Sequence, residues 1–195
     1  MRAGARLFAD EGIDAARTRD IVALAGQAND SAITYHFGSR RGLLEAILRA
    51  GVERMEPARA EFLAAVDSAD LRDVVAAVVE PTAEELRTEE GRDFLRITAQ
   101  LAGQAGIRSH DVPELLKGSA LARQLEMLEE CCRAFLPEPL ALERIAVVIA
   151  FLTAALADRT GRVKEGSLLD HDAFVADLVE MLTAALRAPV AAARP

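Results

Sequence analysis

The sequence has few of the residues on which many protein functions depend. It contains no tryptophan, one tyrosine, two cysteines and three histidines among 195 residues. Because Cys131 and Cys132 are adjacent, they are poor partners for one unstrained disulfide, and they lack the spacing of a zinc site. We therefore expect reduced cysteines, and for Cys132, at the end of a leucine stripe, we favour packing in a core over redox sensing.

The sequence also lacks hydrophobic segments that would direct it to a membrane. Its first residues, MRAGARLFADEG, have no apolar stretch of the length that a signal peptide needs. The longest apolar run covers residues 145–157, which is shorter than the ~20 residues of a membrane-spanning helix. These observations predict a cytoplasmic protein without a membrane partner.

Hydrophobic residues make up 51% of the chain and charged residues 28%, which is typical of a globular protein. Alanine and leucine dominate and alternating β-branched residues are rare, so an all-α fold is expected. The net charge of −8 is unevenly distributed. Residues 1–50 contain seven arginines and six acidic residues, whereas the remaining residues carry a net charge of −9. A nearly neutral N-terminal segment therefore precedes an acidic one.

Apolar periodicity and helix-terminating residues divide the chain into helices. Gly12, Gly26 and Gly38 are expected to end three short ones. A long helix follows Ser39, its predicted N-cap, and Pro57 is expected to kink or break it. The further predicted helices cover residues 71–87 (interrupted at Pro81), 89–104, 113–135, 140–158 and 171–187. The predicted organisation is a three-helix head (residues 1–50), a helical body (51–188) and a disordered tail (189–195).

Residues 18–38 have the pattern of a helix-turn-helix, in which two helices are joined by a tight turn. The second helix is short and polar on its outer face, so it fits the major groove of B-DNA. Ile33 and Phe37, four residues apart, are predicted to anchor it in the core of the head. Its predicted outward residues are Asp30, Ser31, Ala32, Thr34 and Tyr35.

Groups that attract phosphate follow at the end of this helix. Tyr35 and His36 can each donate a hydrogen bond to a phosphate oxygen, and Arg40 and Arg41 add positive charge at the start of the next helix. A Tyr-His-Phe triplet on its own is more often ordinary packing, so the interpretation depends on the whole set of features.

The stretch from Leu7 to Leu48, LFADEGIDAARTRDIVALAGQANDSAITYHFGSRRGLLEAIL, resembles the N-terminal domain of the TetR family of tetracycline-repressor-type regulators. The resemblance covers some 42 residues and does not extend at motif level to the body. The matching features are Leu7-Phe8, Gly12, Arg19-Asp20-Ile21, Ala25-Gly26, Tyr35-His36-Phe37, Gly38-Ser39 and Leu43-Leu44. The position at which the second helix of this family usually has a capping Ser or Thr is here Arg17.

The resemblance implies a homodimeric transcriptional regulator, most often a repressor, that leaves a palindromic operator when a small molecule binds the C-terminal domain. It also implies contacts of Tyr35 and His36 with the DNA backbone, and of Arg40 or Arg41 with phosphate. For Arg17 and Arg19, a solvated charge or a salt bridge to a neighbouring aspartate is a nearly equal alternative. The full set of predicted DNA-binding residues is Arg17, Thr18, Arg19, Asn29, Asp30, Ser31, Ala32, Thr34, Tyr35, His36, Arg40 and Arg41.

The two C-terminal helices are apolar on more than one face, which a peripheral helix of a small monomer does not need. Two such helices from each of two chains would form a symmetric four-helix bundle, and a large monomeric core is the alternative. The predicted dimer-interface residues are Ile145, Val148, Ile149, Leu152, Leu156, Phe174, Leu178, Met181, Leu182 and Ala185.

The remaining body helices are predicted to enclose an unknown small-molecule effector, although each apolar residue is individually more typical of plain core. The candidate pocket residues are Phe62, Phe94, Thr98, Leu101, Leu128 and Phe135. A constitutive repressor, or one controlled by a protein partner, is the alternative function.

A helical enzyme or ligand carrier is a second class of hypothesis. His171 and Asp172 form the one acid–base pair that the sequence suggests, but a helix start explains both. The chain has no Gly-rich phosphate loop, HExxH, GxSxG or Cys-His nucleophile pattern. We therefore expect no catalytic site, no cofactor and no metal.

Overall fold

The computed structural model describes residues 1–27, 31–65, 70–105, 117–165 and 169–190. Within these ranges the regular structure is helical, and the predicted all-α fold is confirmed. A short 3-10 turn (Glu84–Arg87) joins the fifth helix to the sixth. The helices are α1 (Arg2–Glu11), α2 (Thr18–Leu24), α3 (Ser31–Phe37), α4 (Arg40–Ala65), α5 (Leu71–Ala83), α6 (Glu89–Ala105), α7 (Ala120–Arg133), α8 (Glu138–Glu165) and α9 (His171–Leu186).

Polar side chains cap several of these helices. The Ser39 hydroxyl accepts a hydrogen bond from the Gly42 amide at 3.0 Å, so the predicted N-cap of α4 is confirmed. An Asp170 carboxylate oxygen accepts one from the Ala173 amide at 2.8 Å at the start of α9. Helix α2 follows Arg17, whose side chain makes no cap hydrogen bond. A missing cap of this kind costs about 1 kcal/mol, which the packing of α2 must offset.

Three helices continue where the sequence predicted breaks. Helix α5 runs from Leu71 to Ala83 through Pro81, where an interruption was predicted. Helix α4 runs through Pro57, which is exposed, so water can satisfy the carbonyl that loses its amide partner there. Helix α8 continues past Thr160 to Glu165, although a loop was predicted from residue 160. Thr160 is buried and its hydroxyl donates to the Ala157 carbonyl at 2.7 Å. The predicted breaks at residues 81 and 160 are therefore wrong; at Pro57 the helix is not broken, and a kink there stays a prediction.

The buried side chains form two clusters. The body cluster is built from α5, α7, α8 and α9, with part of α6, and includes the fully buried Leu156 and Leu178. Cys132 is fully buried in it, and desolvation raises the pKa of its thiol to about 11. The thiol is therefore neutral and unreactive near pH 7, which fits the predicted packing role.

The head cluster surrounds the fully buried Phe8 and includes residues of α1 to α4. Ile97 of α6, which is also fully buried, belongs to this cluster as well. Helix α4 passes without interruption through residue 50, the predicted domain boundary. The division of the chain at residue 50 stays a prediction, and the head and the body share both a helix and a core.

The segment Glu138–Arg162 of α8 is, by length and composition alone, apolar enough to cross a membrane. Core helices of soluble proteins pass the same test, and one side of α8 packs in the body cluster. The remaining side is exposed along much of its length. The helix therefore has an apolar face that the described part of the chain leaves uncovered.

Candidate nucleic-acid interface

Helices α2 and α3 form a helix-turn-helix that is held in the head by few apolar anchors. Ile21 and Val22 of α2 are each 3% exposed, and Ile33 of α3 is 5% exposed. Phe37 is half-buried and packs against the head cluster. The two predicted anchors of α3, Ile33 and Phe37, are thus inward-facing.

The opposite face of α3 is polar and open. Ser31, Thr34, Tyr35 and His36 are exposed, and Ala32 is half-buried. Tyr35 is 85% exposed, and its ring contacts His36 edge to face with the centroids 4.9 Å apart. Aromatic side chains usually bury much of their area, so this ring is available to a partner. We call these four exposed residues the α3 face.

The first turn of α4 holds the end of α3 in place. A Cβ atom added to Gly42 would lie 2.0 Å from the Phe37 carbonyl oxygen, so a side chain does not fit there. Phe37 is the last residue of α3. The direction of α3 is therefore fixed against α4 by a close backbone approach that requires glycine.

The two arginines at the start of α4 have different surroundings. The Arg40 Nε donates to the Ala16 carbonyl at 3.1 Å, and its guanidinium lies 5.1 Å from the centroid of the Phe8 ring. The Arg40 guanidinium thus packs into the head, and its contact with phosphate stays a prediction. The Arg41 side chain is 87% exposed and pairs with Glu45 one turn later, at 3.0 Å, so Arg41 is the more accessible charge of the two.

The remaining predicted contacts lie around α2. Arg17 is exposed and Thr18 is half-buried. Arg19 is 66% exposed and lies 3.4 Å from the Asp20 carboxylate, so the salt-bridge alternative applies to it. Surface pairs of this kind contribute little and leave the charge free to bind elsewhere. The predicted contacts Asn29 and Asp30 lie outside the described residues.

Residues 1–47, which contain this arrangement, match the family model of the bacterial regulatory proteins of the tetR family. This N-terminal segment is therefore a DNA-binding domain of the tetR-family type. The predicted family, helix-turn-helix and DNA-binding regulatory class are thereby confirmed.

Solved structures of similar fold extend over nearly the whole chain. One is a TetR-family transcriptional regulator from Rhodococcus sp., with 20% sequence identity, a TM-score of 0.53 and coverage of 95% of each chain. Another is FadR, a fatty acid degradation regulator from Bacillus halodurans, with 17% identity and a TM-score of 0.54 over 93% of this chain and 95% of that chain. Identities this low show the fold alone. No curated protein matches the sequence.

The predicted dimer interface is corrected by the burial of its residues. Most of the side chains are in the core of their own chain and have no surface left for a partner. Ile149 and Phe174 are half-buried, whereas Met181 and Ala185 are exposed. The fully or nearly fully buried members are Ile145, Val148, Leu152, Leu156, Leu178 and Leu182.

The exposed side of α8 is nevertheless apolar. Val147 is 65% exposed and Phe151 is 43% exposed, and Ala150 and Ala154 are exposed beside them. Their spacing of three and four residues places all four on one stripe of the helix. We call them the α8 face.

The predicted effector-pocket residues are distributed over both clusters and the surface. Phe94 is buried between α4 and α6, where a Cβ at Gly51 would lie 2.2 Å from its ring. Leu101 packs against the head cluster and Leu128 lies in the body cluster. Phe135, after the end of α7, is 47% exposed. Phe62 and Thr98 are half-buried.

A small cleft lies between α1, α4 and α6 and is lined by Ala5, Ile47, Arg54 and Phe94, among others. Its volume of about 20 Å³ is enough for a single water molecule.

Among the described residues no group of three or more metal-ligating side chains occurs. His171 faces Glu84 at 3.2 Å, and Asp172 faces Arg87 at 3.3 Å. These two residues therefore tie α9 to the 3-10 turn and do not face each other as an acid–base pair.

The sequence analysis did not identify the buried guanidinium of Arg59. Arg59 is 2% exposed, and its guanidinium donates to Gln124 Oε1 at 2.5 Å and to the Thr82 hydroxyl at 2.7 Å. Desolvation lowers the pKa of Arg59 to about 10, so it remains charged at neutral pH. The signal was its spacing: Arg59 continues the inward-facing i+4 row of α4 after Ile47 and Met55.

Proposed function

We propose that the chain is a homodimeric transcriptional repressor that binds a palindromic operator through α3 and leaves it when a small molecule binds the body. The observation that carries the DNA-binding step is the α3 face, above all Tyr35, whose ring is 85% exposed. Thr34 and Ser31 present hydroxyl groups to base edges, and Arg41 supplies an accessible charge for phosphate.

The α8 face supports the homodimer. Val147, Ala150, Phe151 and Ala154 form an apolar stripe between the exposed charges Glu143 and Asp158. Burying such a stripe against the same stripe of a second copy removes apolar surface from water, and a two-fold axis makes the contact self-complementary. The exposed Met181 and Ala185 of α9 extend the apolar surface available to the partner.

The homodimer also accounts for DNA binding by an acidic chain. Residues 51–195 carry the negative charge, and the contacts with phosphate come from the head. Two heads per dimer would contact two half-sites about one helical turn, or a multiple of it, apart. The protein would act in the cytoplasm, where its operator is accessible.

The test of this function is a selection of duplexes from a random pool, alongside DNA from upstream of the protein's own gene. Fluorescence anisotropy of the recovered duplex at several salt concentrations then gives affinity and salt slope. About six neutralised phosphates predict a slope of log K against log salt near −5. Recovery of no common sequence, with equal binding to scrambled DNA, would contradict a sequence-specific regulator.

The effector step has its own test, because repression without a small-molecule effector, constitutive or controlled by a protein partner, is the second candidate. A panel of small molecules is screened for a rise in the melting temperature of the free protein. An effector must both raise that temperature and release the labelled operator, since it binds the free form better than the DNA-bound form. Stabilising compounds that leave operator binding unchanged would favour the second candidate.

A further inference from the structure

In the described residues the head is attached to the body at two places. One is α4, which runs from the head into the body as a single helix from Arg40 to Ala65. The other is the contact of α1 with α6, where Ile97 enters the head cluster and Leu101 packs against it. A single helical connection leaves the head free to rotate about one axis, whereas a second contact fixes the angle.

Gln100 makes the directional contacts of this second attachment. Its Oε1 accepts a hydrogen bond from the Ile13 amide at 2.8 Å, and its Nε2 donates to the Phe8 carbonyl at 3.0 Å. Phe8 lies in the last turns of α1, where carbonyls have no amide partner within the helix. One side chain of α6 therefore satisfies two backbone groups at the end of α1.

Gly12 makes this arrangement possible. Its backbone φ of 99° is one that residues other than glycine rarely adopt. The turn at Gly12 ends α1 and directs the next amide, that of Ile13, toward Gln100. After this turn the chain returns to the head cluster through the buried Ile13 and Ala16. The backbone geometry and the side chain of α6 are thus matched to each other.

Ion pairs surround the same contact but do not define its angle. Arg96 of α6 lies 2.8 Å from Asp10 of α1 and 2.5 Å from Asp93, and Arg6 lies 3.1 Å from Asp10. These pairs, apart from the buried Asp93, are partly open to solvent, where long side chains adapt to small shifts and are screened. The Gln100 bonds are made to backbone groups on both sides of a turn, and they tolerate less movement.

We propose that Gln100 is a positioning residue for DNA binding, which sets the angle of each head on the body and so the separation of the two α3 helices in a dimer. The proposal rests on the dimeric DNA-binding function proposed above. In such a dimer the second head binds at an effective concentration that depends on geometry. A head that rotates about α4 lowers that concentration without changing the contacts that one head makes with one half-site.

The test compares the wild-type protein, Gln100→Met and Thr160→Val. Methionine keeps the length of the side chain and removes both hydrogen bonds. Thr160→Val is the matched control, because it removes a hydrogen bond to Ala157 within α8, remote from the head, and leaves the net charge unchanged. Three duplexes derived from the selected operator serve as probes: the full palindrome, one half-site, and the palindrome with two base pairs inserted at its centre.

For Gln100→Met we expect about 10-fold weaker binding to the full palindrome, unchanged binding to the half-site, and a smaller penalty for the insertion than in the wild type. Thr160→Val should match the wild type on all three duplexes. Equal losses of Gln100→Met on the palindrome and the half-site would indicate a damaged head and overturn the proposal. The proposal would also be overturned if the two-base-pair insertion weakened binding by Gln100→Met as much as binding by the wild type.

Two further outcomes separate this proposal from the function on which it rests. If the wild type binds the palindrome no better than the half-site, the dimeric function fails and the positioning role falls with it. If Gln100→Met does not fold, Gln100→Glu replaces it, since a carboxylate accepts from the Ile13 amide but cannot donate to the Phe8 carbonyl. For Gln100→Glu we likewise expect the insertion to weaken binding less than it does in the wild type. An equal loss of affinity in both proteins would overturn the proposal.

Discussion

The head leaves a polar helix face exposed, whereas the body leaves an apolar one exposed. On α3 the open side chains are hydroxyl, phenol and imidazole groups, with Tyr35 85% exposed. On α8 they are Val147, Phe151 and two alanines. A polar face is stable in water, so its exposure has no cost, but an apolar face of this kind is usually covered in a working assembly. The two faces therefore predict partners of different chemistry: nucleic acid for α3 and a second copy for α8.

The interiors of the two regions also differ. In the head, the inward-turned Arg40 packs on Phe8 and a backbone carbonyl while the side chain stays partly exposed. In the body, Arg59 is almost completely removed from water, and the hydrogen bonds described for its guanidinium go to uncharged side chains. A buried charge is stable only while its hydrogen bonds are kept. The body is therefore more sensitive to the loss of one polar side chain than the head.

The largest expected effect is that of a charge placed on the α8 face. In Phe151→Asp each dimer would bury two unpaired carboxylates, each costing about 3 kcal/mol, so the dimer dissociation constant should rise by about 10⁴. Sedimentation velocity should show monomers at concentrations where the wild type is dimeric. Phe135→Asp is the matched control, with a phenylalanine of similar exposure outside α8 and α9, and it should stay dimeric. Dimers of Phe151→Asp with wild-type stability would show that the α8 face is not the interface.

The next effect concerns the buried guanidinium. Gln124 is 1% exposed, and Gln124→Leu removes the acceptor of Arg59 and the donor to the Ala77 carbonyl. We expect the free energy of unfolding in urea at pH 7 to fall by about 3 kcal/mol. The cost is fully present at this pH, because the folded pKa of about 10 and the higher pKa of the unfolded state both lie above it.

A second substitution separates the charge from the lost volume. In Arg59→Met/Gln124→Leu the charge is absent, so the double variant should be more stable than Gln124→Leu alone. If the double variant is less stable than either single variant, the guanidinium is not the source of the cost. The comparison of the two interiors would then lose its main support.

A smaller effect is expected at the junction of the two regions. A Cβ at Gly51 of α4 would lie 2.2 Å from the Phe94 ring of α6, so Gly51→Ala forces these helices apart. We expect a loss of about 2 kcal/mol of stability, measured by thermal melting. Gly161→Ala in α8, where a Cβ meets no atom within 4 Å, should instead gain up to about 1 kcal/mol from helix propensity. Equal melting temperatures for the two variants would contradict the close approach.

The head was predictable from sequence because its determinants are local. The turn between α2 and α3, the anchors Ile33 and Phe37 and the exposed Tyr35 lie within a few residues of one another, so helical periodicity alone separates inside from outside. The inward turn of Arg40 was not predictable, because its partners Ala16 and Phe8 come from earlier parts of the chain. Neighbouring arginines look equivalent until the tertiary contacts are known.

The body was less predictable because its helices are apolar on several sides. In α8 the stripe with Val148 and Leu152 and the stripe with Val147 and Phe151 have the same spacing and similar hydrophobicity. Packing against α6 and α9 decides which stripe is buried, and the sequence pattern does not contain that information. For the same reason the role of Gln100, which depends on atoms 87 and 92 residues away, has no local signal.

The smallest expected effect distinguishes the two neighbouring arginines of the head. Arg41→Gln removes an exposed charge near the α3 face, so the slope of log K against log salt should become shallower by about 0.9 per head, or about 1.8 per dimer. Arg40→Gln is the matched variant, with the same charge change on a guanidinium that packs against Phe8, and it should lower the melting temperature while keeping the wild-type slope. Because both variants change the net charge equally, a difference in slope reports contact with phosphate and not the overall field of the protein. Equal slopes for the two variants would mean that the inward position of Arg40 does not persist on DNA.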